Sequence, residues 1–330
     1  MRHQKKRWFA ASLVLCMLLS ILPSTSLAFS ESEETWSGNR RNQTIDGGTH
    51  TITLSNLTID SPGVEKSAID ITGNADVTFI LEGNNTLRGY RNHPAIWVES
   101  GSSVTFEGNG LLEASAGGAS IGLGAAGIGG GYGASSNFGN ITINGGTIIA
   151  QGSGGGAGIG GGYEVGSGTV TGNVTINGGY VTAIGGSSGS TGGAGIGSGE
   201  NANYSGTVTI NGGVVYAEGG ADSTSIGRGN RAIGTSDNGA FTTGTGGNAV
   251  IVAPDGIGDP SGFADWDGIF ISYEGSNTSA TVGEDGTVHL NDTEANIQVW
   301  GEPVIDYPLV VESGTELRVV QNDRNYAYAT

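Results

Sequence analysis

Val174-Thr175-Ile176-Asn177-Gly178-Gly179 decides the fold, because the chain writes it three times. The other copies are Ile141-Thr142-Ile143-Asn144-Gly145-Gly146 and Val208-Thr209-Ile210-Asn211-Gly212-Gly213, so the starts lie 33 and 34 residues apart. A glycine motif precedes each copy: Ala126–Gly131, Ala157–Gly162 and Ala194–Gly199. Self-similarity at a period of this size marks a solenoid or an array. Two apolar residues flanking a threonine have the period of a strand, not of a helix. No helical pattern separates the units, so the spacing predicts a parallel β-helix.

The repeat extends beyond these copies. Aligning the inward isoleucine of the first strand gives Ile69, Ile96, Ile128, Ile159, Ile196 and Ile226, at spacings of 27 to 37 residues. The second strand aligns Val77-Thr78-Phe79 and Val104-Thr105-Phe106 with the three hexapeptides. The third aligns on Leu87, Leu112, Ile148, Val181 and Val215. Each period therefore holds three short strands. Residues i and i+2 share a face, so Val and Ile turn inward and Thr outward. Phe79 is predicted to sit on Phe106, with Ile143, Ile176 and Ile210 continuing the row. Asn144, Asn177 and Asn211 are predicted to form a turn ladder whose amides bind neighbouring backbone groups. The glycine pairs after them supply the positive φ of the corner.

The chain has 330 residues, with 64 Gly and only 7 Pro. Glycine at fixed offsets beside Val and Ile indicates tight turns between short strands rather than a flexible linker. Residues 1–28 read as a secretory signal. Arg2, Lys5, Lys6 and Arg7 form its basic head, Phe9–Leu22 its apolar segment and Ser26-Leu27-Ala28 its cleavage site. The competing reading is an uncleaved anchor, for which the apolar stretch is short. Cys16, the single cysteine, lies inside this segment, so the mature protein is expected to have no disulfide. The formal net charge of −18 becomes more negative still once the signal is removed. So acidic a chain repels nucleic acid and anionic membranes. The expected organisation is a flexible leader at 29–43, the β-helix at 44–247 and a β-rich C-terminal cap at 248–330, with a separate small domain as the rival for the last part. Within the cap, Tyr307–Val320 reads as a hairpin or as the start of another coil.

The run Ala68-Ile69-Asp70-Ile71, Ala95-Ile96-Trp97-Val98, Val104-Thr105-Phe106 and Ala126-Gly127-Ile128-Gly129 resembles secreted bacterial β-helix proteins of the pectin-lyase-like superfold. It is most similar to those of the carbohydrate-binding cell-surface type. The resemblance covers about Ala68–Gly229. It implies an all-β, single-stranded, right-handed parallel β-helix, an extracellular or cell-surface location, a monomer, and a polysaccharide partner of plant or bacterial cell-wall type, with an acidic one such as polygalacturonate bound through Ca²⁺ among the candidates. Handedness comes from the resemblance alone. Enzymes of the superfold hold Ca²⁺ on carboxylates with an Arg or Lys as base, or carry Asn-Thr-Asp, Asp-Asp, Gly-His-Gly and Arg-Ile-Lys strings. None of those four strings occurs here. A lyase using Arg88, Arg91, Arg228 or Arg231 as base is the catalytic alternative. A structural or adhesive protein without a sugar site is the other.

Candidate ligand-binding residues are aromatic and cationic. Trp97 falls on the outward position between Ile96 and Val98, where an indole can stack on a sugar ring. Tyr132 and Tyr163 share a register, four residues after Ile128 and Ile159. Between them Gly129–Gly131 and Gly160–Gly162 leave a stripe without side chains, along which a linear polysaccharide could lie; the alternative is that these glycines only turn the corner. Arg88 and Arg91 complete the sugar set. Candidate Ca²⁺ ligands are Asp70 and Glu99 on the N-terminal repeats and Asp265 and Asp267 near Trp266, hard oxygen donors of the type this cation takes. The alternative is a solvated acidic face, with Arg88 and Glu113 paired across neighbouring coils. Gly130–Ser135 only partly resembles the Ca²⁺-binding nonapeptide, since Ser135 replaces the ligand aspartate. Gly122–Gly127 matches a dinucleotide fingerprint in letters alone, with no helix after it.

Overall fold

The structure is a computed structural model. It describes residues 34–60, 63, 65–118, 123–133, 136–166, 168–230, 238–243, 248–258, 263, 266–272, 280–283, 285–290, 294–300, 303, 307–312 and 316–322. The signal segment at 1–28 lies outside these, as do Ser135, Arg231 and Asp265. Among the described residues no helix is long and apolar enough to cross a membrane.

The chain is all-β, and its strands are mostly parallel. Among the described residues they form one sheet of 18 strands, one of seven and two small ones. Each hexapeptide strand pairs with its counterpart one period away. Asn140–Ile143 lies against Asn173–Ile176 with Ile141 opposite Val174 and Ile143 opposite Ile176, and Asn203–Ile210 continues the series. Ile52, Phe79, Phe106, Ile143, Ile176 and Ile210 are therefore successive partners in one row, and all are buried. The rings of Phe79 and Phe106 are 5.9 Å apart. On the outer side of the same strands Thr51, Thr78, Thr105, Thr142, Thr175 and Thr209 form a half-buried file. The smaller sheet holds the isoleucine column as read: Ile69, Ile96, Ile128, Ile159, Ile196 and Ile226 are mutual partners, all buried. Each full repeat gives one short strand to this sheet and at least two to the large one. The arrangement is compatible with a solenoid.

Several expectations change. The third strand aligns two residues differently at its start. Leu112 stands opposite Asn85, and Leu87 opposite Ala114; only from Leu112 onward do Ile148, Val181 and Val215 follow in line. Asn85 takes an inward, fully buried place because its amide is used three times. It accepts from the Leu57 amide (2.9 Å) and donates to the Glu82 and Leu111 carbonyls (3.1 Å each). Arg88 consequently faces Ser115, and Glu113 faces Thr86, so the expected Arg88–Glu113 register is not formed.

The asparagine ladder exists, but its amides bind each other rather than the backbone. Asn211 donates to Asn177 (2.7 Å), Asn177 to Asn144 (2.8 Å) and Asn144 to the Glu107 carboxylate (3.1 Å). Of each glycine pair after them, only the second residue has positive φ, at 83° for Gly146, 82° for Gly179 and 85° for Gly213.

Part of the stretch expected to be a flexible leader forms a strand. Glu34–Asn39 is a strand parallel to Thr49–Asp60, with Trp36 buried and 6.4 Å from Phe79. Trp36 covers the first ring of the aromatic row, and pairing with Thr49–Asp60 satisfies the backbone of the strand.

Beyond residue 248 the parallel pairing continues. Ala249–Val252 joins Val214–Glu218, and Gly268–Ser272 joins Ala249–Val252. Glu294–Trp300 then turns antiparallel. Leu309–Val311 and Glu316–Asn322 do not pair as a hairpin. They lie parallel to Val288–Leu290 and Glu294–Trp300, as another coil would. Phe241, Phe263, Trp266, Phe270 and Trp300 cluster at this end of the core, with Phe263 within 5.3 Å of each of the others. Trp266, which neighbours Asp265 and Asp267 in the sequence, is fully buried there.

Candidate functional site

The outward rank of the smaller sheet runs Thr44, Asp70, Trp97, Gly129, Gly160, Gly197 and Gly227. Side chains stop after Trp97 for a steric reason. Gly129 and Gly160 have φ of 129° and 138°, and a Cβ on Gly129 would lie 2.1 Å from the Gly160 carbonyl oxygen. L side chains do not adopt that backbone. The glycine stripe is thus a demand of close stacking. Gly129–Gly131 and Gly160–Gly162 are all buried, so the stripe does not form an open groove for a polysaccharide.

The step from Trp97 to glycine leaves space beside the indole, and a pocket of about 300 Å³ occupies this region. Its walls come from three separated stretches: Glu65, the turn Arg91-Asn92-His93-Pro94 with Trp97, and Gly131-Tyr132. The turn is clamped at both flanks. A Cβ on Gly89 would lie 2.2 Å from the His93 carbonyl oxygen, and one on Gly117 would lie 2.2 Å from the Arg91 nitrogen. Arg91 itself holds a positive φ of 49°, and the His93 amide bonds back to the Tyr90 carbonyl at 3.3 Å. The Arg91 guanidinium is held by Glu65 at 3.3 Å and lies over the Tyr90 ring at 5.4 Å. Tyr132 is backed by Tyr163, stacked at 5.8 Å with the rings 23° apart.

Of the sugar set, then, Trp97, Arg91 and Tyr132 share one pocket, and Tyr163 supports it from behind. Arg88 lies on the large sheet and does not line it. Trp97 points outward as read, between fully buried Ile96 and Val98, but is half-buried rather than a free platform. Glu65, Asn92, His93 and Pro94 were not singled out by motif. Their one sequence signal is the polar, proline-ended turn that interrupts the repeat at 91–94. Two polar atoms of the lining, the Trp97 indole nitrogen and the Asn92 amide oxygen, are buried without a hydrogen-bond partner.

The carboxylates are dispersed. Glu99 accepts from the Gly73 amide at 2.8 Å, Glu113 from Thr86 at 3.3 Å, and Asp76 from Ser103. Asp70 stands next to Trp97 in the outward rank. Burial pushes its carboxyl above the usual range, opposed by the nearby charges of Lys66 and His93. Asp255, similarly raised by burial, accepts from the Gly219 amide at 2.9 Å. Of the C-terminal pair proposed as Ca²⁺ ligands, Asp267 is half-buried and Asp265 lies outside the described residues. Among the described residues no three metal-ligating side chains come together. No protein-family model, curated protein or solved structure matches the chain.

Proposed function

We propose that this protein is a right-handed parallel β-helix, exported from the cell, that binds a polysaccharide without turning it over. The observation that carries the reading is the convergence of Trp97, Tyr132 and Arg91 on one pocket. An indole, a phenol ring backed by a second phenol, and a guanidinium are the parts that hold a sugar. The apolar ring faces cover the C–H face of a pyranose, and the polar atoms fix its orientation. A clamped turn keeps these parts in place, so little ordering is lost on binding.

Parallel stacking of about 30-residue units supports the β-helix. Export is supported by the signal-like segment at 1–28 and by the acidic composition, which suits a partner other than nucleic acid. Ca²⁺ enters this reading as a variable of the test.

A pull-down on a polysaccharide panel, with CaCl₂ or with EDTA, tests the reading. Retention of the wild type and a roughly tenfold weaker retention of Trp97→Ala are expected, the size of a lost aromatic contact. Equal retention of the mutant would discard the pocket. Unsaturated product released from polygalacturonate would point to a lyase instead.

A further inference from the structure

The asparagine ladder has two unlike ends. Asn177, its middle rung, donates to Asn144 at 2.8 Å and accepts from Asn211 at 2.7 Å. Asn144 is also held on both sides, because its amide donates to the Glu107 carboxylate at 3.1 Å. Among the described residues, the Asn211 side chain has only its bond to Asn177. The reason lies in the sequence. Ile210 pairs with Thr243, and the residue after Thr243 is Gly244, which has no side chain to add a rung.

Each rung is followed by glycine, and an Asn–Gly pair is chemically labile. With no Cβ beside it, the glycine nitrogen is open to attack the side-chain carbonyl carbon of the asparagine before it. The N–Cγ bond forms and the Cγ–Nδ2 bond breaks. The amide proton ends, through water, on the departing nitrogen, which leaves as ammonia. Water then opens the five-membered imide at either carbonyl, giving aspartate or an isoaspartyl link. To react, the side chain must swing off its neighbours and over its own following peptide, so each ladder bond restrains the reaction. Among the described residues no hydrogen bond engages the amide nitrogens of Gly145, Gly178 and Gly212, which leaves the ladder as the restraint. Asn109–Gly110 is guarded differently: the buried Gly110 donates its N–H to the Leu81 carbonyl at 3.0 Å.

We propose that Asn211 is a site of spontaneous covalent modification, and that the ladder opens from there, rung by rung, towards Asn144. The aspartate formed has no amide donor, so Asn177 loses its bond on that side and becomes the new open end. Glu107 closes the other end. The ladder thereby sets the chemical lifetime of its own turns, independently of any ligand.

The test is incubation of the folded chain at mildly alkaline pH, followed by peptide mapping with mass spectrometry that separates aspartyl from isoaspartyl products. One hydrogen bond fewer at Asn211 corresponds to roughly fivefold more product there than at Asn144 or Asn177. Asn211→Asp, which mimics the product, and Asn211→Ala should each raise the rate at Asn177 roughly fivefold, and Glu107→Ala should do so at Asn144. In urea the three wild-type sites should react alike and faster than in the folded chain. Equal rates at the three sites of the folded wild type would overturn the proposal. So would an unchanged rate at Asn177 in either Asn211 variant that keeps the native circular dichroism.

Discussion

Ile176 shows how one side chain reports the architecture. It sits fully buried between Ile143 and Ile210 in the inward row, one position from half-buried Thr175. Ile176→Asp places an unpaired carboxylate there, and the desolvation cost exceeds what a marginally stable domain can absorb. Circular dichroism is expected to show an unfolded or strongly destabilised chain, whereas Thr175→Asp should keep the fold. Gly160 makes the same point for the backbone. At φ of 138°, with the Gly197 carbonyl oxygen 1.9 Å from any Cβ, Gly160→Ala should cost roughly 3 kcal/mol. Gly118, where a Cβ meets nothing within 4 Å, should tolerate alanine.

Asp70 supplies a pH dependence. Burial raises its folded-state pKa, so the folded chain holds this proton to higher pH than the unfolded one. Its contribution to stability is complete below the ordinary carboxylate range and is lost as pH rises through the raised value. Asp70→Asn is therefore expected to raise Tm at neutral pH and to change it little near pH 3. Equal shifts at both pH values would show that ionisation of Asp70 is not the cause.

At the scale of the element, the unit is a rank of like residues rather than a single strand. Parallel strands repeat at about 4.8 Å, which lets identical side chains bond their own copies. The asparagine ladder does so at 2.7 and 2.8 Å. Asn177 is its middle rung, donating to one neighbour and accepting from the other. Asn177→Ala should remove both bonds and cost about 1 kcal/mol, read from the midpoint of a urea transition.

Most of these ranks were legible in advance, because a period-2 pattern inside a fixed repeat leaves one choice of facing side. The register of Leu87 and Leu112 was not. A polar residue, Asn85, holds an inward site there, and its three partners belong to three different segments. Nothing local to Asn84-Asn85-Thr86 announces them. The glycine stripe was legible as a rank. Its burial was not, since it comes from how closely the backbone of each neighbouring repeat packs on it.

For the whole molecule, each repeat touches mainly its neighbours, and stability is close to a sum of such contacts. The two ends differ. At the N-terminal end Trp36 covers Phe79. Towards the C-terminus five aromatic residues gather around Phe263, while Leu309, Val310 and Val311 on the last small strand are exposed. Hydrogen exchange followed by mass spectrometry should therefore find the slowest amides in the hexapeptide strands. The fastest strand amides are expected in Leu309–Val311 and Glu316–Asn322. Slow exchange throughout Leu309–Val311 would contradict this gradient.

Most inward faces, most stacking partners and the parallel run of the repeat strands were readable from the chain, because a repeat carries its own alignment and alternation assigns the face. Trp97 and Tyr132 could likewise be marked as outward aromatics. Their meeting with Glu65, Asn92 and His93 could not. That pocket exists because a rank of side chains ends in glycine beside Trp97, while a clamped turn from one repeat reaches the loop after the next. The separations involved depend on how far loops of unequal length fold back, and no periodicity encodes them.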